Sequence, residues 1–123
     1  MPFLADRVYD NGLTVLDTEA NVLHICSSEP STFAGVASVT LGNATTLSIG
    51  APGARGGGGR QVTVAAITSG GNVTGTGTAS HYAIVDTVNS RLLAAGALSA
   101  SQAVTTGNSF TTSSFTIGVP GPV

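Results

Sequence analysis

The chain has 123 residues, of which 8% are charged and none is Lys, while 17 Thr, 17 Gly and 13 Ser fill the vacancies. An ordinary soluble domain carries about 25% charged residues, so this surface is made of hydroxyls, backbone and small apolar groups, and a net charge of −2 does little to hold copies apart. The balance excludes the electrostatic footprint of nucleic-acid binding, since four Arg stand in a chain of pI about 5.4, and 41% hydrophobic residues exclude disorder.

A mass of 12.0 kDa fits one domain over 1–123 with one core. The single Cys26 rules out an internal disulfide, and its apolar neighbours Val22, Leu23 and Ile25 predict a buried, inert thiol. Met1 to Leu16 contains Asp6, Arg7 and Asp10 and lacks the continuous apolar stretch of a signal peptide. No membrane span is expected, because the longest apolar run, Leu92 to Leu98, includes Gly96 and falls far short of about 20 residues.

Five of the six acidic residues lie within the first 29 positions, and residues 1–20 read as a helical arm. Phe3 to Leu16 is the predicted helix, with Leu4, Val8, Gly12 and Val15 at three- and four-residue spacing, Pro2 at the entry and Asp6 favouring the dipole. Asn11-Gly12 competes with it, because that pair also makes turns. After Glu19 the period shortens to two. Val22 to Cys26 predicts a strand with Leu23 and Ile25 on one face and Val22, His24 and Cys26 on the other, closed by Ser27-Ser28-Glu29-Pro30. Val36 to Leu41 and Leu47 to Ile49 are weaker strand candidates on either side of Gly42-Asn43.

The Gly-rich loop 50–60 holds Gly56-Gly57-Gly58-Gly59 and is predicted to be a mobile or externally held connector, since glycine loses the most freedom on ordering. Gln61 to Ile67 reads as a strand, and Val73 to Ala79 is expected to return beside it through Ser69-Gly70-Gly71-Asn72. Glycines 75 and 77, alternating with Thr, predict close approach of another layer. His81 to Asp86 turns through Val88-Asn89-Ser90 into Arg91 to Leu98, and Val104, Phe110 and Phe115 to Val119 supply closing strands before Pro120. Short strands divided by Gly, Asn and Ser turns predict a mainly β chain: a single antiparallel β-sandwich or barrel-like domain with a short N-terminal helix. Leu23, Ile25, Val62, Val64, Ile84 and Val85 are its expected interior.

The residues offer little to catalysis. His24 and Cys26 share a strand face, but two ligands do not make a metal site, and Glu19 and Glu29 lie beyond the turns. His81 and Asp86, five positions apart, face opposite sides of a strand unless a bulge intervenes. No G-x-S-x-G elbow occurs, and Asp6, Asp10, Asp17 and Glu19 sit in the helix and its exit rather than across a cleft. Gly53 to Arg60 lacks the Lys-Ser/Thr ending of a phosphate loop and precedes a strand, so it is a flexible loop with two arginines. The expectation is a protein that is not an enzyme and uses no cofactor or metal.

Two stretches carry a resemblance: Leu23-His24-Ile25-Cys26-Ser27-Ser28-Glu29-Pro30, and His81 through Ser99 (HYAIVDTVNSRLLAAGALS). They resemble small virion structural proteins of tailed bacteriophages, over roughly Asp10 to Ile117. The resemblance implies a capsid decoration, or cement, protein assembled in the host cytoplasm and located on the capsid surface. Its partner would be the major capsid protein, and it would act as a homo-oligomer, by analogy a trimer. A tail-associated or fibre module recognising a host surface ligand is the alternative, although Tyr9 and Tyr82 are the only tyrosines and Trp is absent. On either reading Arg55 and Arg60 in the loop, with Asp6, Arg7 and Asp10 in the N-terminal zone, are the candidate partner contacts, by charge complementarity.

Overall fold

The computed structural model describes residues 6–56 and 58–119, with backbone alone for 6–10 and 99. The protein is mainly β, with antiparallel sheets and a helix near the N terminus. The described residues divide into two compact units, each assembled from separated segments: 6–19, 48–56, 58–66 and 113–119 in one, 20–47 and 67–112 in the other.

The first unit contains helix α1 (Asp6–Glu19), the short β3 (Gly53–Ala54), β4 (Arg60–Val64) and β8 (Phe115–Val119), with the strands ordered β3-β4-β8. Alternation along β4 buries Val62 and Val64, which pair with Ile117 and Phe115 of β8. The helix runs through Asn11-Gly12, so its local turn tendency loses to burial of an apolar face. That face differs from the predicted one. Leu13 and Leu16 are buried while Gly12 and Val15 are exposed, because the three-residue Leu13–Leu16 step, not the Gly12–Val15 step, carries large side chains inward. The predicted positions Phe3 and Leu4 lie outside the described residues.

The second unit is a five-stranded sheet ordered β5-β2-β1-β6-β7, with β1 (Val22–Cys26) at its centre. β2 (Thr40–Ala44) and β6 (Gly77–Asp86) flank β1 in antiparallel register, Leu23 opposing Ala44 on one side and Ile84 on the other. β5 is Gly71–Val73 and β7 is Arg91–Val104. Leu23 and Ile25 are buried on one face of β1, while β6 buries the consecutive Ile84 and Val85 and so is covered on both faces there. Two bulges lie on β7: Leu93 is extra between the Ile84–Ala94 and Val85–Leu92 pairs, and residues 98–101 stand against Ser80 alone.

Three local expectations are corrected. Val36 to Leu41 is not a strand: helix α2 spans Phe33–Val39, and only from Thr40 does the chain become extended. Thr32 caps it, its hydroxyl accepting the Gly35 N–H at 2.9 Å. Phe33, Val36 and Val39 recur every three residues and pack on Cys26, Ala83 and Val85, so tertiary burial outweighs the β tendency of the valines. The hairpin between Gln61–Ile67 and Val73–Ala79 does not form, because β4 pairs with β3 and β8 while β5 pairs with β2. Gly70, at φ 84°, makes the turn that diverts the chain. Finally, loop 50–60 is a hairpin: Gly53 pairs with Gln61 and Ala54 with Arg60, and Gly58 and Gly59 adopt φ of 105° and 89° in the turn, where other residues are strained.

Candidate functional site

The two loop arginines lie at the β3–β4 turn. The Arg55 backbone N–H donates to the Gly59 carbonyl (3.2 Å), Gly58 N–H donates back to the Arg55 carbonyl (3.2 Å), and the Arg55 guanidinium donates through Nη1 to the Gly58 carbonyl (3.0 Å). Its stem crosses β8 at Gly118, where an added Cβ would stand 2.9 Å from Arg55 Cδ. Arg55 therefore orders its own turn as well as presenting charge. Arg60 opens β4 opposite Val119 and is half-buried. Asp6, Arg7 and Asp10 lie along the first turns of α1, their side chains outside the described residues.

The second unit holds a cleft of about 200 Å³ between α2 and the sheet, lined by His24, Phe33, Val36, Ala37, Thr40 and Thr87. Its one ionisable group is neutralised by its setting. The Thr40 hydroxyl donates to the Gly42 carbonyl at 3.1 Å, so at its 2.9 Å contact with His24 Nδ1 it accepts, which places the imidazole proton on Nδ1. Burial lowers the His24 pKa, outweighing the hydrogen bond with the Gly42 backbone that raises it. Cys26, on the same strand face, is fully buried, and burial pushes its thiol up to about 11, which leaves it inert at neutral pH. His81 stands opposite Cys26 in the β1–β6 ladder, but its Nδ1 is 2.7 Å from Ser80 Oγ. Among the described residues no three His, Cys, Asp or Glu side chains gather as a metal set, and no helix is long and apolar enough to cross a membrane.

Beside the cleft, the β6–β7 hairpin tip is held by side chains that the sequence reading passed over. The Asp86 carboxylate accepts from the backbone N–H of Val88 (3.0 Å) and Asn89 (3.4 Å) and from Asn89 Nδ2 (2.8 Å). Asn21 grips the next residue reciprocally, its Nδ2 donating to Thr87 Oγ1 (2.8 Å) and its Oδ1 accepting the Thr87 N–H (3.1 Å). The legible signal was Asp86-x-x-Asn89, a spacing at which Asp closes its own turn. Only the fold could supply Asn21, 66 positions away.

These bonds favour the ionised carboxylate. Asn89 chiefly, then the backbone N–H groups and Arg91, lower the Asp86 pKa. A depressed folded pKa stabilises the protein above the unfolded value of about 3.9 and loses that contribution as pH falls through the lower folded value. The unfolding midpoint of Asp86→Asn is accordingly expected below that of the parent at neutral pH, with the gap closing below pH about 4. Parallel midpoints across that range, followed by thermal unfolding, would remove Asp86 from the turn.

Comparison with family models, curated proteins and solved structures finds no match to this chain.

Proposed function

We propose that this chain is a structural protein of a tailed-phage virion, a capsid decoration protein that binds the outer shell and ties neighbouring major capsid subunits together without catalysing a reaction. The observation that carries the reading is the surface: exposed positions such as Thr63, Thr74, Thr76, Thr78, Thr105 and Thr106 are hydroxyls where charges would ordinarily stand. A weakly charged β surface suits contacts repeated by symmetry, where each is modest and the sum is strong. The resemblance of residues 23–30 and 81–99 to virion proteins supports the same reading. Arg55 and Arg60, carried together on one hairpin, are the cations that would meet acidic capsid surface.

Co-sedimentation with shells lacking the protein tests this. Saturable binding in many symmetry-related copies is expected. Replacing Arg55 and Arg60 together by Ala should weaken it, more at low salt than at high, because the lost attraction is screened. Since Arg55 also bonds Gly58, the variant's melting curve must first show that it folds. Binding unchanged at every salt concentration would take the loop out of the interface. No binding by the parent protein would sink the decoration reading and favour a tail-associated role.

A further inference from the structure

Strand β8 is outermost in the order β3-β4-β8, and among the described residues no strand pairs with its far side. Such an edge offers backbone N–H and C=O groups at strand spacing, so what completes it is another extended backbone. Sheets ordinarily blunt their edges with a charge, a proline, a bulge or extreme shortness. The opposite edge strand, β3, is two residues long. β8 has none of these devices: its five residues pair with β4 in unbroken register, Ser113 to Val119 contains no charged residue, and Pro120 comes only after the strand. The edge is also open to solvent. Thr116 and Gly118 are exposed, and Val119 is 39% exposed although it lies on the same sheet face as the buried Val62 and Val64 of β4.

We propose that this edge is completed by β8 of a second copy of the chain, the two strands running antiparallel across a two-fold axis at Ile117. The strand is self-complementary about that residue. Ile117 meets its own copy, Phe115 opposes Val119 and Thr116 opposes Gly118, so that large apolar side chains face each other on one side of the sheet and small groups on the other. This is the one register that pairs the whole strand, and it covers the exposed Val119 with an aromatic ring. On the other face the Arg55 stem lies across Gly118, which puts a cation beside the position of Thr116 in the second copy. The symmetry also closes the assembly. Each copy uses its one extended edge against the other, so two three-stranded sheets become one that ends in the short β3 on both sides. The contact does not rest on the decoration role, and it is two-fold rather than the trimer implied by the virion resemblance.

Sedimentation velocity of the full chain over a concentration series tests the pairing, and the parent is expected to dimerise reversibly. Thr116→Lys, at an exposed position, should weaken the dimer by roughly tenfold or more, because it brings an ammonium against the Arg55 guanidinium of the second copy, with its melting curve unchanged. Mild oxidation with oxidised glutathione reads the register. Ile117→Cys should link two copies through a disulfide, since a residue on the axis faces itself at about 4.5–5.5 Å between Cα atoms, whereas Thr116→Cys faces Gly118 and should not. The native Cys26 is buried and contributes no background. A parent chain monomeric up to about 1 mM would overturn the proposal. So would a dimer indifferent to Thr116→Lys, a folded Ile117→Cys variant that does not link, linkage of Thr116→Cys as complete as that of Ile117→Cys, or a trimer or larger assembly that depends on β8.

Discussion

Replacing Ile84 by Ala is expected to cost about 2–5 kcal/mol of stability, the range for truncating a fully buried aliphatic side chain. Ile84 has no exposed surface and sits in the middle of β6, paired with Leu23 on β1 and Ala94 on β7. Its register partners on both sides are fixed by the ladder, so the vacated space closes only partly. That rigidity places the expected loss above simple transfer of the lost methylenes. Ile84→Val removes a single methylene and should cost only about 0.5–1.5 kcal/mol. Urea unfolding checks both: the midpoint should fall in that order at an unchanged slope. An Ile84→Ala midpoint equal to the parent's would show that Ile84 does not lie buried in β6 between β1 and β7.

Phe110→Ala should be comparably damaging, at about 3–5 kcal/mol. Phe110 lies outside the strands yet is only 3% exposed, and its ring rests on two glycines of neighbouring strands. A Cβ at Gly71 would stand 2.5 Å from the Phe110 carbonyl oxygen and 3.1 Å from ring carbons; one at Gly42 would stand 2.6 Å from the Asn72 carbonyl oxygen and 3.2 Å from the ring. The closest atoms are backbone, so relief requires the chain to shift. Gly71→Ala is therefore expected to cost about 1–3 kcal/mol, as overpacking does. Combining it with Phe110→Ala should relieve only the part due to the ring, because the carbonyl oxygen stays in place. A neutral Gly71→Ala would mean that the segment carrying Phe110 does not lie against β5. Measured together, the three variants also separate ring burial from backbone proximity.

Much of this was legible locally. Two-residue alternation located β1 and β4 and named Leu23, Ile25, Val62 and Val64 among the side chains they bury, because burial on one face of a pleat leaves its period in the sequence whatever the partner strand; β6 was located by its apolar run, and it is buried on both faces over Ala83–Asp86. The β6–β7 hairpin was readable for a similar reason, since its turn residues and both strands are contiguous. Loop 50–60 was read from glycine's entropy alone, whereas its hairpin depends on positive φ at Gly58 and Gly59 and on Arg55 bonding to Gly58. The glycines also divided unevenly. A Cβ added at Gly75 or Gly77 would meet Leu41 at ordinary van der Waals distances of 3.5 and 3.4 Å, while the tight contacts fall at Gly42 and Gly71.

The candidate site was less legible, because the relations that make it are between distant positions. Arg55 and Arg60 could be picked out as scarce cations, but the sequence did not disclose that one of them ties its own turn. Asn21 and Thr87, or Thr87 and Phe33, become neighbours only when β1, β6 and α2 pack together. The sequence by itself determined the β class, the alternating interior and the scarcity of charge, all of which are properties of single residues or of short windows. The tertiary structure alone decided that β5 joins β2 rather than β4, that Phe33–Val39 is helical, that α1 turns Leu13 and Leu16 inward, and that Thr87 lines an apolar cleft with residues of α2. Each of those outcomes is settled by burial against a remote partner, and a free energy of that kind depends on which surfaces meet rather than on any local period.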